Sequence, residues 1–142
     1  MAANINPIFT KTAQVKWVVD MTAANTSLGL DTGTSYDSNF SGSTEGSYVS
    51  EIRVKAGAGQ NTAASVFRVY INNGSSISTR ANSVLFTEVA LPALTGVQTN
   101  STQEFIIPMD IMIPSGYKIY FTLGTAPGGS GTFQACVVGG NY

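Results

Sequence analysis

The run from Phe105 to Leu123, FIIPMDIMIPSGYKIYFTL, limits the folds open to this chain more than any other stretch. Successive side chains of a strand point to opposite faces, so apolar residues at every second position mark a sheet surface. Phe105, Ile107, Met109, Ile111 and Ile113 share one face of the first half. In the second half Tyr117, Ile119, Phe121 and Leu123 share a face, with Lys118, Tyr120 and Thr122 opposite them. Pro114-Ser115-Gly116 separates the halves as a turn, because proline presets φ and glycine tolerates positive φ. The two strands read as a β-hairpin with one buried and one wet face, over which the other strands pack. Pro108 has no N–H to give a ladder, which puts the first strand at a sheet edge or at a bulge.

Other segments repeat the pattern. Gln14 to Thr22 presents Val15, Trp17, Val19 and Met21 on one face, with Trp17 expected in the core. Ala23 to Ser47 is polar and loop-like, with a short strand around Thr34 to Phe40. Tyr48 to Ala56 sets Tyr48, Ile52, Val54 and Ala56 against Glu51, Arg53 and Lys55. Ala64 to Asn72 points Phe67, Val69 and Ile71 inward and Arg68 and Tyr70 outward, and Asn73-Gly74 then favours a tight turn. Val84 to Leu91 is apolar on both faces: Leu85, Val89 and Leu91 on one, Val84, Phe86 and Ala90 on the other. Such a strand wants two partners, the core and a neighbouring subunit. Thr132 to Val138 points Phe133, Ala135 and Val137 inward. About eight strands with no amphipathic helix predict an all-β chain, an antiparallel β-sandwich of jelly-roll type. Residues 1–12 read as an extended N-terminal arm and 13–142 as one sandwich domain. The arm, with Ile5, Ile8 and Phe9, either covers the core as an edge strand or reaches a neighbouring subunit.

Composition narrows the function. Charged residues make up 11% of the chain, against roughly 25% in ordinary soluble domains. Such a surface is common on proteins of permanent assemblies or of the cell exterior. The net charge is −1 and the basic residues form no run, so neither nucleic acid nor an anionic membrane is an expected partner. No apolar stretch approaches the roughly 20 residues of a membrane span, and MAANINPIF lacks the features of a signal peptide. Synthesis in a cytoplasm is the expectation, with release, if any, as part of a particle or by another unusual route.

The chemistry of catalysis is sparse. The chain has no histidine and a single cysteine, which removes the Ser-His and Cys-His pairs, the usual zinc sites and any intrachain disulfide. Cys136, in the apolar alternation of the last strand, reads as a buried inert thiol. Asp31, Asp37 and Glu45 carry oxygens of the kind Ca²⁺ takes, but their spacing fits no loop motif. Glu88 and Asp110 are the acids embedded in apolar strands; side by side they would raise one pKa, yet they promise no catalytic pair. Asn25-Thr26-Ser27 and its like match the glycosylation pattern by composition alone. No catalytic residue, metal or cofactor is expected.

NINPIF near the start, FRVYINNGS in the middle, IPSGYKIYFTLG and the closing GGNY together resemble the small β-sandwich virion proteins of tailed bacteriophages, of the capsid decoration or cement type. The resemblance implies a jelly-roll or immunoglobulin-like fold, often trimeric, that sits on a capsid lattice and reinforces it. It carries over no individual site residue. The expectation is a non-enzymatic virion protein that binds the major capsid protein or another virion protein and forms a homotrimer. Its contact residues are expected at Ile5, Ile8 and Phe9 on the arm, Val84 and Phe86 on the two-faced strand, and outward Tyr70 and Tyr120. The alternative is a carbohydrate- or receptor-binding module of a tail or head fibre, with Trp17, Tyr36 and Tyr48 as the ring platform.

Overall fold

A computed structural model of the chain describes residues 9–142; Ile5 and Ile8 of the arm lie outside the described residues. Eight strands account for nearly all regular structure: β1 Thr12–Met21, β2 Tyr36–Ser41, β3 Ser47–Ala56, β4 Ser65–Asn72, β5 Ser83–Leu91, β6 Glu104–Ile113, β7 Lys118–Leu123 and β8 Phe133–Asn141. The one helical piece is a 3₁₀ turn at Arg80–Asn82. Among the described residues no helix is long and apolar enough to cross a membrane.

All pairings are antiparallel, and the strands form two four-stranded sheets, ordered β1-β8-β3-β6 and β2-β7-β4-β5. Each crossing from one sheet to the other is the jelly-roll alternation, so the chain is an antiparallel β-sandwich of jelly-roll type. Apolar side chains from the two inner faces meet between the sheets. Phe40, Ile52, Val54, Phe67, Phe121, Phe133 and Val137 are all fully buried there. Phe67 and Phe121 pack with ring centroids 5.0 Å apart at 42°. Each such side chain contributes roughly 1.5–3 kcal/mol by leaving water, and this apolar layer holds the sheets together.

The hairpin expected from Phe105–Leu123 does not form. β6 pairs with β3 at the edge of one sheet, while β7 lies inside the other, between β2 and β4. Both sides of β7 are occupied, so no ladder position remains for β6. Pro108 sits where its missing N–H costs least, on the edge strand β6, opposite Glu51. The turn between β6 and β7 bridges the sheets and is clamped to residue 42: Gly42 donates its N–H to the Tyr117 carbonyl, and Gly116 donates to that of Gly42. A Cβ at Gly42 would overlap the Pro114 carbonyl.

The expected wet face of β7 is also covered. Tyr120 and Thr122 are buried, and Tyr120 joins Tyr70, Leu30 and Ile77 in a second small apolar cluster. The loop between β1 and β2 supplies Leu30, and buried Asn25 fixes that loop. Its amide donates to the carbonyls of Gly29 (2.9 Å) and Thr32 (3.0 Å), and its Oδ1 accepts from the Ser27 N–H and hydroxyl. Asn25 is therefore a structural centre and no accessible glycosylation acceptor.

β-Bulges interrupt several ladders. In β1 the ladder slips between Val18 and Met21, so those two face inward and Val15, Trp17 and Val19 face out. The core position expected for Trp17 is thereby overturned. In β3 a slip between Val49 and Glu51 puts Val49 inside in place of Tyr48. In β5 an extra residue at Phe86 lets Val69 face Thr87 and Tyr70 face Leu85.

Candidate interaction surfaces

Two apolar surfaces remain uncovered among the described residues. The first is the outer face of the β1-β8-β3-β6 sheet. Ladder partners share a face, and the register sets Trp17 opposite Cys136, Cys136 opposite Arg53, and Arg53 opposite Ile106. A parallel row runs Val15, Val138, Glu51, Pro108. Trp17 stands 60% exposed at one margin, and Ile106 and Met112 are exposed on β6 at the other. The polar groups lie between. Arg53 Nε contacts Glu51 Oε1 at 2.6 Å, and its Nη1 lies 3.8 Å from Glu104 Oε2. Beside this ion pair Trp17, Val18, Val19, Lys55, Gln134 and Cys136 line a groove of about 270 Å³. On the other side of the indole, Val15, Lys16 and Asn39 border a second recess of about 280 Å³.

The groove offers little nucleophilic chemistry. Burial pushes the Cys136 thiol up from its ordinary pKa, and the nearby Arg53 only partly offsets this. The thiol is half-buried on the outer face, where a fully buried one was expected. Tyr48 lies further along the same face and donates to Asp110 at 2.7 Å; that bond above all holds its hydroxyl protonated. Glu88 is on the other sheet, beside Arg68 at 3.3 Å, so the two strand-embedded acids do not meet. Asp37 and Glu45 pair with Lys118 and Lys11. Asp31 joins neither, and among the described residues no group of three or more acids, cysteines or histidines is placed to hold a metal ion.

The second surface is β5, the open edge of the other sheet. Val84 (59%), Leu85 (42%) and Phe86 (43%) are exposed in succession there, while Val89 and Leu91 turn toward the core. The Phe86 bulge produces this run by letting consecutive residues face outward.

The expected contact residues thus separate. Val84 and Phe86 lie together on β5. Phe9 is 82% exposed and shares a recess with Thr10, Tyr48 and Tyr142. Tyr70 and Tyr120 are brought together, but at 2% and 8% exposure they are interior and offer a partner no surface. Of the expected ring platform, Tyr36 turns inward, its hydroxyl accepting from the N–H groups of Thr22 and Ala23; Trp17 alone borders the groove. Sequence reasoning missed Ile106 and Met112, although their alternation with the inward set of β6 marks that strand as apolar on both faces.

No family model matches the chain, and no curated protein matches it. Among solved structures the neighbours include viral capsid proteins with a β-sandwich fold. One is the VP2 protein of infectious bursal disease virus in derived particles, at 13% identity and a TM-score of 0.34, covering 97% of this chain and 36% of that one. Another is the T13 viral particle of the same virus, at 13% identity and a TM-score of 0.33, covering 97% and 35%. A bacterial protein, dimeric latent PorU from Porphyromonas gingivalis, is similar at 6% identity and a TM-score of 0.34, covering 96% and 14%. The chain spans about a third of the length of the viral chains it matches, and the functional reading rests on its own surfaces.

Proposed function

We propose that this chain is a non-enzymatic structural protein of a bacteriophage virion, a decoration or cement protein that binds the major capsid protein and stabilises its lattice. The observation that carries the reading is the exposed run Val84-Leu85-Phe86 on the unpaired edge strand β5. Long apolar sheet edges invite pairing, and folded proteins blunt them unless the edge has a partner. β6 is blunted by Pro108, β2 is only six residues long, and β1 carries Lys16 and a bulge at Asp20; β5 is bulged at Phe86, but the bulge there exposes apolar side chains. A stable contact needs on the order of 800 Å² per partner, and a depleted-charge, aromatic-bearing patch suits its centre. The scarcity of charge and the resemblance to phage virion proteins point the same way.

In this reading β5 makes the contacts of a homotrimer, and the N-terminal segment with Phe9 lies on the capsid. Val84→Glu with Phe86→Glu places two charges in that contact. Light scattering is expected to give a trimer for the native chain and a monomer for the variant, which no longer co-sediments with shells of the cognate capsid protein. Deleting residues 2–9 is expected to abolish co-sedimentation while the fold persists. A native chain that is monomeric and ignores the shells would sink the proposal.

A second reading, a carbohydrate- or receptor-binding module of a phage fibre, draws on one observation: the single tryptophan stands exposed beside a mostly apolar groove bordered by a few polar groups.

A further inference from the structure

We infer that the groove beside Trp17 is a binding site for a neutral pyranose ring. The inference deepens the second reading above, on which it rests, and does not require the first. Trp17 borders the groove on edge strand β1, Gln134 lies on the middle strand β8, Lys55 and Arg53 on β3, and Glu104 on β6. The lining is mostly apolar, led by the indole and Val19, and a carboxylate, an amide and two cations border it. A pyranose has the matching construction, with a C–H face that stacks on an aromatic ring and a rim of hydroxyls that both donate and accept. At about 270 Å³ the groove falls just below the roughly 300 Å³ at which small-ligand sites begin, a size for one ring.

Charge selects among ring ligands. The Arg53 guanidinium lies beside Glu51 and Glu104, so the groove is no open anion site. Lys55 supplies one further donor, and Glu104 and Gln134 supply acceptors suited to neighbouring hydroxyls. Glu51 and Glu104 balance Arg53 and Lys55 in charge, so the groove offers a carboxylated sugar no net attraction, and a neutral sugar leaves the ion pairs intact. The elements that carry these groups are ladder strands, so the groups are held by backbone register and need no loop to close.

Trp17 is the only tryptophan, so its fluorescence reports on the two recesses it borders, and substitutions at Gln134 and Glu104, which line only the groove, tell them apart. Titrating the native chain with methyl glucoside, methyl galactoside, methyl mannoside and methyl N-acetylglucosaminide is expected to give a saturable change with at least one of them. A single-ring contact corresponds to a Kd of about 1 mM, or −4.1 kcal/mol. Gln134→Ala and Glu104→Ala are expected to weaken that response by about tenfold each, through lost hydroxyl contacts. Trp17→Ala, followed by saturation-transfer NMR on the sugar, is expected to lose binding while the chain keeps its melting temperature, because the ring is outside the core. Absence of a saturable change with all four sugars overturns the site, and so does binding that survives Trp17→Ala. A response confined to sialic acid overturns the neutral assignment. Adsorption to host cells with no sugar response also overturns the glycan site while leaving the receptor-module reading intact.

Discussion

Replacing Tyr70 by phenylalanine distinguishes a surface residue from an interior one in a single substitution. Tyr70 lies on β4 beneath Leu30 and is 2% exposed. Its hydroxyl oxygen is buried with no hydrogen-bond partner among the described residues. A buried hydroxyl without a partner costs about 1–3 kcal/mol relative to one that is paired. Tyr70→Phe removes the hydroxyl and keeps the ring against Leu30 and Tyr120, leaving a void the size of one oxygen. The expected net effect is a gain of about 1 kcal/mol, or about 3 °C in melting temperature for a domain of this size. Urea unfolding followed by far-ultraviolet circular dichroism would show a higher midpoint at unchanged slope. Self-association and shell binding are expected to stay as in the native chain, since the ring faces no partner. A loss of 1 kcal/mol or more would refute the reasoning, because it would mean the hydroxyl has a partner that the packing does not provide.

Three further outcomes follow from the same geometry. Tyr120 has its pKa raised, chiefly by burial and then by the Asp37 carboxylate. The folded chain therefore keeps a proton that the unfolded chain releases near pH 10, so stability falls as pH rises beyond that point. The melting temperature between pH 9 and about 11.5 should decline less steeply in Tyr120→Phe, and identical slopes would contradict this. Cys136, its thiol held protonated mainly by burial, should react slowly with a disulfide reagent at neutral pH and faster only in alkali; rapid stoichiometric labelling at pH 7 would count against that environment. Asp20 has φ of 58° inside β1, so Asp20→Val is expected to cost roughly 1–2 kcal/mol and Asp20→Gly to cost nothing or to stabilise slightly, as chemical denaturation would show.

The strands themselves were legible in the sequence, and for a definite reason. Phe67, Val69, Ile119, Phe121, Phe133, Ala135 and Val137 alternate without interruption, and each faces inward as its parity requires. Sheet membership was not legible. Whether β6 and β7 pair is decided by which other strands compete for the sides of β7, and the winners, β2 and β4, are distant in the chain. The cover over Tyr70 and Tyr120 was hidden for a similar reason. It depends on Leu30 and Ile77, two isolated apolar residues in polar loops, and on the folding of the first of those loops around Asn25.

The remaining errors share one physical origin. Parity is a local rule, and one inserted residue reverses it for everything beyond. Unbroken alternation puts Val15, Trp17, Val19 and Met21 on one face, and the slip between Val18 and Met21 separates the first three from Met21. The slips in β1, β2 and β6 each contain a residue with positive φ: Asp20 (58°), Asn39 (61°) and Asp110 (46°). Aspartate and asparagine enter that region more readily than other side-chain-bearing residues, because their short polar groups bond locally. The Asp37 carboxylate accepts locally from the Asn39 N–H at 2.7 Å, whereas the Asp110 carboxylate accepts from Tyr48 on the neighbouring strand at 2.7 Å. An acid or amide standing inside an apolar run, as in VVDM or PMDIM, is thus a sign of a bulge as much as of a wet face. Asp20 thereby turns Val15, Trp17 and Val19 outward, and the exposed face that carries the Trp17 groove comes from a single residue of backbone geometry.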